Sequence, residues 1–405
     1  MISAEKALKI VLNCCRPARK ESVRLREAVG RTAAGNIVAR EDIPPFRNSS
    51  MDGYAVRSAD LKNASGSQPV RLSLRGESSA GNPFKGEFRS GHAVRIMTGG
   101  KLPSGTDAVV PVEIASADGE DAVKFDRPVR PGDFVRKKGE DVPRGRRVIA
   151  SGDLLTPSHL AILASTGHPE VRVGRRPEVG ILATGDELLP PEETPSAGRI
   201  RNSSSYALIG LVKESGGKAR FLGIVRDRKK SIRKKVREGL SHDILLLTGG
   251  VSVGAHDYVR EVLESCGVEI LFWRVNIRPG GPLLFGRSGR TLVFGLPGNP
   301  VSTGVTFLQF VRPAIRKMLG RRLLFPSRWT AATVEPLGVK EGKRTYLRGI
   351  VTQEEGLLKV RTTGSQSSGV MSSLLKANCL IILPEGTTNV PAGSSVTIEF
   401  LRDPL

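Results

Sequence analysis

The sequence predicts a multidomain protein of α/β plus β class, with an open, doubly wound parallel sheet at its centre. Three observations carry this expectation. From residue 176 onwards, continuous apolar runs alternate with helical patterns. Between 45 and 139 the only signals are short β-prone runs separated by Gly, Pro, Asn and Asp turns. After 323 the β texture returns and persists to the end. With 39% hydrophobic and 25% charged residues, the chain has a globular balance that excludes disorder. Its 405 residues suffice for several cores.

The elements follow in order. Ala4, Ala7, Leu8, Val11 and Leu12 recur at helical spacing behind Ser3. A second helix is expected over 24–29, stopped by Gly30. IPPF (43–46) breaks the pattern, and strands are expected at 70–74, 92–97, 107–112 and 121–125. TPSHLAILASTG (156–167) predicts a helix, with Thr156 as N-cap, Pro157 at the first position and Gly167 as stop. Strands at 178–183, 219–225, 243–247 and 292–295 then alternate with helices at 202–217, 228–240, 255–267 and about 302–319. In the helix at 228–240, Ile232, Val236 and Leu240 form one apolar stripe. The terminal β runs are TAATVEPL, TYLRGIVTQ, LLKVRTT, CLIILP and SSVTIEF.

Charge and cysteine usage narrow the function. Lys and Arg number 62 against 40 acids, a net +22 that attracts polyanions or phosphorylated substrates. Cys14, Cys15, Cys266 and Cys379 form no CxxC pair. Neither a disulfide framework nor a zinc site is expected, and a reducing cytoplasm is. The start lacks the pattern of a signal peptide. The longest uncharged run, 291–311, contains GLPGNP, so no membrane partner is expected. RDRKKSIRKKVR (226–237) admits a nucleic-acid-binding reading. No RNP motif, zinc finger or helix-turn-helix signature accompanies it, and no specific nucleic acid is expected.

Ligands of a doubly wound sheet sit beyond the carboxyl ends of its strands. Three such ends carry unusual residues: ATGDEL (183–188), LTGGVSVGAHDY (247–258) and FGLPGNPVS (294–302). Glycines there let backbone N–H groups approach an anion. Thr184, Ser252 and Ser302 offer hydroxyls, and Asp186, Glu187 and Asp257 are acids among those glycines. Acids beside an anion site suit a hard cation such as Mg²⁺, bridging carboxylate and phosphate. Singly, each loop also suits a tight turn or an N-cap. None is a Walker loop or a GxGxxG fingerprint. Outside the sheet, NSSMDGYAV (48–56) and GEDV (139–142) stand out, each also readable as a turn.

Those motifs occur in a fixed order with AVRIMTGGKLPSGTDAVV (93–110), IRPGGP (277–282), YLRG (346–349) and TTGSQSS (362–368). Together, over the whole chain, they resemble the MoeA family of molybdopterin molybdenumtransferases, which includes the gephyrin E domain. The resemblance implies a linker domain from 1–44 and 140–175, and an inserted β module at 45–139. It implies a molybdopterin-binding α/β domain at 176–322 and a C-terminal β-barrel-like domain at 323–405. It further implies a cytoplasmic homodimer with active sites between the α/β domain of one subunit and β parts of the other. The implied reaction inserts molybdate into adenylylated molybdopterin with release of AMP, assisted by Mg²⁺. A tungstate-inserting variant of the same enzyme is the alternative, because the two oxyanions share shape and charge. A scaffold role, as in gephyrin, has no mark in this chain.

By motif position, the resemblance places Asp52, Thr98, Asp141, Glu187, Asp227 and Asp257 among the catalytic residues. Glu187, Asp227 and Asp257 are the candidates for Mg²⁺ or proton transfer. Thr184, Gly249, Gly250, Ser252, Gly254, Pro297, Gly298 and Pro300 would shape the pterin-phosphate pocket. Arg278, Arg348 and Ser368 would hold the anions. One departure stands out. The family pattern at 278–282 is Lys-Pro-Gly-Lys-Pro, whereas here Arg278 replaces the first lysine and Gly281 the second. Gly281→Lys is therefore expected to raise anion affinity about tenfold, unless another basic residue occupies the place.

Overall fold

A computed structural model describes residues 1–196, 198–250, 258–339 and 342–402. Ser252, Gly254 and Asp257 lie outside the described residues.

The central sheet has six strands. Their order is Lys218–Val225, Glu178–Thr184, Ile244–Thr248, Thr291–Leu296, Leu284–Ser288 and Glu269–Trp273. The first four are parallel, as expected. Alternating side chains of these strands feed two cores. Val179, Ile181, Ile244 and Leu246 face the helices Ser204–Glu214 and Pro300–Thr306. Leu182, Leu245 and Leu247 face Lys229–Gly239 and Val259–Ser265, where Ile232 and Val236 are buried. Burial on both faces is why these strands read as unbroken apolar runs.

The last two strands correct the expectation of a parallel sheet: Leu284–Ser288 runs against the other five, so that it and Glu269–Trp273 join the sheet through antiparallel pairings. Ser288 pairs with Thr291 across Gly289 and Arg290, and Gly289 has φ 56°. A two-residue hairpin of this kind forces antiparallel pairing. The helix expected from about 302 begins at Pro300. It passes through a π-helical turn at Phe307–Val311 and continues as Arg312–Met318. Pro313 lacks an N–H, and a wider turn before it relieves the clash with the carbonyl four residues back.

The N-terminal helix, Ala4–Cys14, is capped by Ser3, whose hydroxyl accepts from the Lys6 N–H at 3.2 Å. Its buried Ala4, Ala7 and Val11 join the core under the central sheet. No second helix follows. Lys20–Arg24 is a strand paired with Glu170–Gly174, and Leu25–Glu27 is a single 3-10 turn. Of the helix expected over 24–29 only that turn forms, since the strand before it fixes the backbone up to Arg24, with Val23 and Leu25 against a small core. The expected helix at 156–167 forms as Pro157–Ser165.

The four strands expected in the β module are present. Gly53–Val56 adds a fifth between Ala108–Pro111 and His92–Ile96. The C-terminal runs close into a five-stranded barrel. Arg344–Glu354, Leu357–Thr362, Arg328–Thr333, Ser395–Phe400 and Cys379–Leu383 pair in turn, and the last returns to the first. The four cysteines are free, and burial pushes the Cys15 and Cys379 thiols up to about 12. Among the described residues, no helix is long and apolar enough to cross a membrane.

Candidate active site

A cleft of about 1260 Å³ opens beyond the carboxyl ends of the parallel strands, where a doubly wound sheet places ligands. Its floor is tightly built. The Thr184 hydroxyl donates to the Thr248 carbonyl at 3.4 Å, and the Gly249 N–H donates to Leu296 at 3.3 Å. Gly249 has φ 84°, and a Cβ there would lie 2.3 Å from the Thr184 carbonyl oxygen. Only glycine permits this approach of two strand ends. Beside it, the Ser204 hydroxyl donates to the Gly298 carbonyl at 3.1 Å, tying a helix start to the GLPGNP loop.

Of the residues expected in the site, Thr184, Glu187, Gly249, Gly250, Arg278, Pro297, Gly298, Pro300 and Ser368 line this cleft. Ser368 arrives from the barrel domain, where its hydroxyl accepts from Asn299 Nδ2 at 3.0 Å. Arg278 arrives on the short strand Ile277–Arg278, within the connection between Glu269–Trp273 and Leu284–Ser288. The sequence reading missed Arg201, Asn202, Ser203, Ser204, Lys343 and Gln366, which also line it. The run NSSS (202–205) was visible as a helix cap, but its position over the cleft depends on chain reversal. Ser302, one of the hydroxyls noted in sequence, is in the lining too.

Arg348 is a correction. Its side chain does not reach the cleft and is 0% exposed. Nε donates to Ser373 Oγ at 3.1 Å and Nη2 to the Ser367 carbonyl at 3.2 Å. Its backbone N–H donates to Gln366 at 2.8 Å. Burial lowers the guanidinium pKa to about 10. Arg348 thus holds the 366–368 loop in place from beneath. Asp227 sits in the bend between Lys218–Val225 and Lys229–Gly239, half-buried and outside the lining.

Asp52, Thr98 and Asp141 are exposed and lie outside the cleft of their own chain. Two of them meet. The Thr98 hydroxyl and backbone N–H donate to one Asp52 carboxylate oxygen at 2.7 and 2.6 Å. These bonds, the hydroxyl first, hold the Asp52 carboxyl below the usual aspartate range.

Charge in the cleft is one-sided. Among the described lining residues, Arg201, Arg278 and Lys343 face a single carboxylate, Glu187. Hydroxyls of Ser203, Ser302 and Ser368 add neutral polar groups. The arrangement suits an anionic ligand carrying phosphate. Among the described residues, no three His, Cys, Asp or Glu come together as a metal cage. The donors at Glu187 and Thr184 are hard oxygens, and Mg²⁺ is commonly held by one or two carboxylates plus substrate phosphates. The residues present therefore fit Mg²⁺ better than a softer ion.

Three family models match in sequence. The MoeA N-terminal region (domain I and II) matches residues 2–167, a probable molybdopterin binding domain 180–317, and the MoeA C-terminal region (domain IV) 330–401. A molybdopterin molybdenumtransferase of Haemophilus influenzae is 38% identical over 386 residues, covering 95% of this chain and 94% of the relative. One from Bacillus subtilis is 34% identical, covering 99% and 94%. The crystal structure of a molybdopterin biosynthesis MoeA protein from Pyrococcus horikoshii superposes with a TM-score of 0.84 at 32% identity, covering 99% of this chain and 100% of that one. With all three regions matched in order, the chain belongs to the MoeA family, that of the molybdopterin molybdenumtransferases.

Proposed function

We propose that the enzyme inserts molybdate into adenylylated molybdopterin and releases AMP. The carrying observation is the cleft with three cations, several hydroxyls and one described carboxylate. Molybdate and the phosphates are oxyanions and the pterin is a dithiol that becomes a dithiolate as it binds the metal, and fixed cations stabilise such charge most where water is scarce. Two Mo–S bonds replace two Mo–O bonds. Each departing oxygen takes two protons to leave as water, drawn from the pterin thiols and from side-chain acids. Water cleaves the phosphoanhydride. Glu187 is the candidate to pass protons or to bind metal, a role supported by its place in the cleft lining. Mg²⁺ would be held by Glu187, with Asp227 and Asp257 as further candidate ligands, and when bound would neutralise phosphate charge.

Asp52, Thr98 and Asp141 act, in this reading, on the cleft of a partner subunit in a cytoplasmic homodimer. Their exposure outside their own cleft supports this. Purified protein with adenylylated molybdopterin and either molybdate or tungstate tests the reaction, by AMP release and metal incorporation. AMP release with neither oxyanion overturns it, and the ratio of the two rates assigns the metal. Mixing Asp52→Ala with Glu187→Ala protein tests the shared site. Activity recovered in the mixture supports it, and a fully active monomer in sedimentation rejects it.

A further inference from the structure

We infer that Lys343, carried by the barrel domain, is the second cation of the cleft. With Arg278 it completes an interdomain seat for a tetrahedral oxyanion, either a substrate phosphate or the molybdate. The inference deepens the proposed function and rests on it for the identity of the anion.

The placement of Lys343 is set by its neighbours. Ile277–Arg278 pairs in parallel with Arg344–Thr345, matching Ile277 to Arg344 and Arg278 to Thr345. Asn276 Nδ2 donates to the Gly342 carbonyl at 2.6 Å, and the Arg344 N–H donates to the Asn276 carbonyl at 3.2 Å. The backbone is therefore held on both sides of Lys343. Arg344 forms an ion pair with Glu5 on the N-terminal helix. Lys343 itself sits in the bend just ahead of that strand and lines the cleft.

Its chemistry then selects an anion. Lys343 is half-buried, and among the described residues neither its ammonium nor the Arg278 guanidinium has an ion pair or side-chain hydrogen bond. Arg201, the third cation, is already fastened: its Nε donates to the Pro191 and Glu193 carbonyls at 2.9 and 3.1 Å. The stretch between Arg278 and the next strand brings no charge of its own. At Gly281 a Cβ would meet the Ile277 and Val275 carbonyl oxygens at 3.3 and 3.4 Å, a tight but yielding fit. The arginines at 274 and 348 do not fill the place. Arg274 lies over the Trp273 ring at 4.8 Å, and Arg348 is bonded beneath the 366–368 loop. Two cations from different domains, joined by a strand bridge, would make the bound oxyanion a tie between them.

Calorimetric titration of the full chain with inorganic pyrophosphate and, separately, molybdate tests this. Lys343→Met is expected to weaken at least one of the two by about tenfold and to flatten the salt dependence of binding. Loss confined to pyrophosphate assigns the seat to phosphate, and loss confined to molybdate assigns it to the metal oxyanion. Lys343→Arg should retain binding, which a fold defect would not allow. Gly281→Lys should restore affinity in the Lys343→Met protein and add little to the parent. Parent protein binding neither anion, or Lys343→Met binding both within twofold of the parent, overturns the seat. Failure of AMP release with oxyanion binding intact would instead overturn the proposed reaction.

Discussion

Glu399→Gln is expected to destabilise the docking of the barrel on the α/β domain and, through it, to weaken ligand binding. Glu399 is 0% exposed. Its carboxylate accepts from Arg312 Nη2 at 2.7 Å and Gln309 Nε2 at 2.9 Å, both on the long helix beneath the central sheet. Arg328 Nε, from a neighbouring barrel strand, adds a contact at 3.3 Å. The Arg312 side chain is only 5% exposed, so losing the carboxylate leaves a buried guanidinium without that counter-charge. Breaking one side of a buried ion pair costs about 3–5 kcal/mol. At about 4–8 °C per kcal/mol for a unit of this size, the lower bound is a drop of about 12 °C in the transition that undocks the barrel. Differential scanning calorimetry measures it. The paired change Arg312→Met with Glu399→Leu should recover most of the loss, because no charge then remains to be solvated. The barrel also carries Lys343, Gln366 and Ser368 to the cleft, so pyrophosphate affinity should fall although Glu399 is remote from it. A drop under about 3 °C would refute the buried-charge argument, since that is less than 1 kcal/mol on this scale.

Thr98→Val should raise the Asp52 pKa towards 3.8, because it removes the side-chain bond that lowers it most. The depressed folded value means that the associated stability is present at neutral pH and is lost as pH falls through it. A carboxyl NMR titration identical to the parent's would sink that cause. Gly249→Ala forces a Cβ to within 2.3 Å of the Thr184 carbonyl at φ 84°, and should cost about 1–3 kcal/mol in denaturant unfolding; a neutral variant would show that the strand ends can part. Glu187→Gln should keep the melting temperature while metal incorporation falls about 100-fold or more, and parental turnover would remove Glu187 from the chemistry. Binding to DNA should be weak, salt-sensitive and without sequence preference, as a +22 charge alone dictates; a tight sequence-selective complex at physiological salt would contradict it.

Much of the architecture was legible in sequence because the signals are local. Strands buried on both faces read as apolar runs, as at Ile244–Thr248, and helix starts show their caps, as at Ser3 and Thr156. Glycines and prolines at three strand ends marked the cleft floor before any fold was known. Other features exist only through pairing of distant segments. Lys20–Arg24 is a strand because Glu170–Gly174 lies beside it, a pairing that nothing within the segment announces. Arg348 reads as a ligand in YLRG, yet barrel closure turns it inward onto Ser373 and the 366–368 loop. Lys343 reads as one of many surface lysines until Ile277–Arg278 bridges to Arg344–Thr345 and brings it into the cleft. Sequence alone determined which segments could be strands, helices and anion-approaching turns, since those preferences reside in neighbouring residues. Tertiary structure decided which cations share the cleft, because the direction of a charged side chain is set by the long-range hydrogen bonds that fix its backbone.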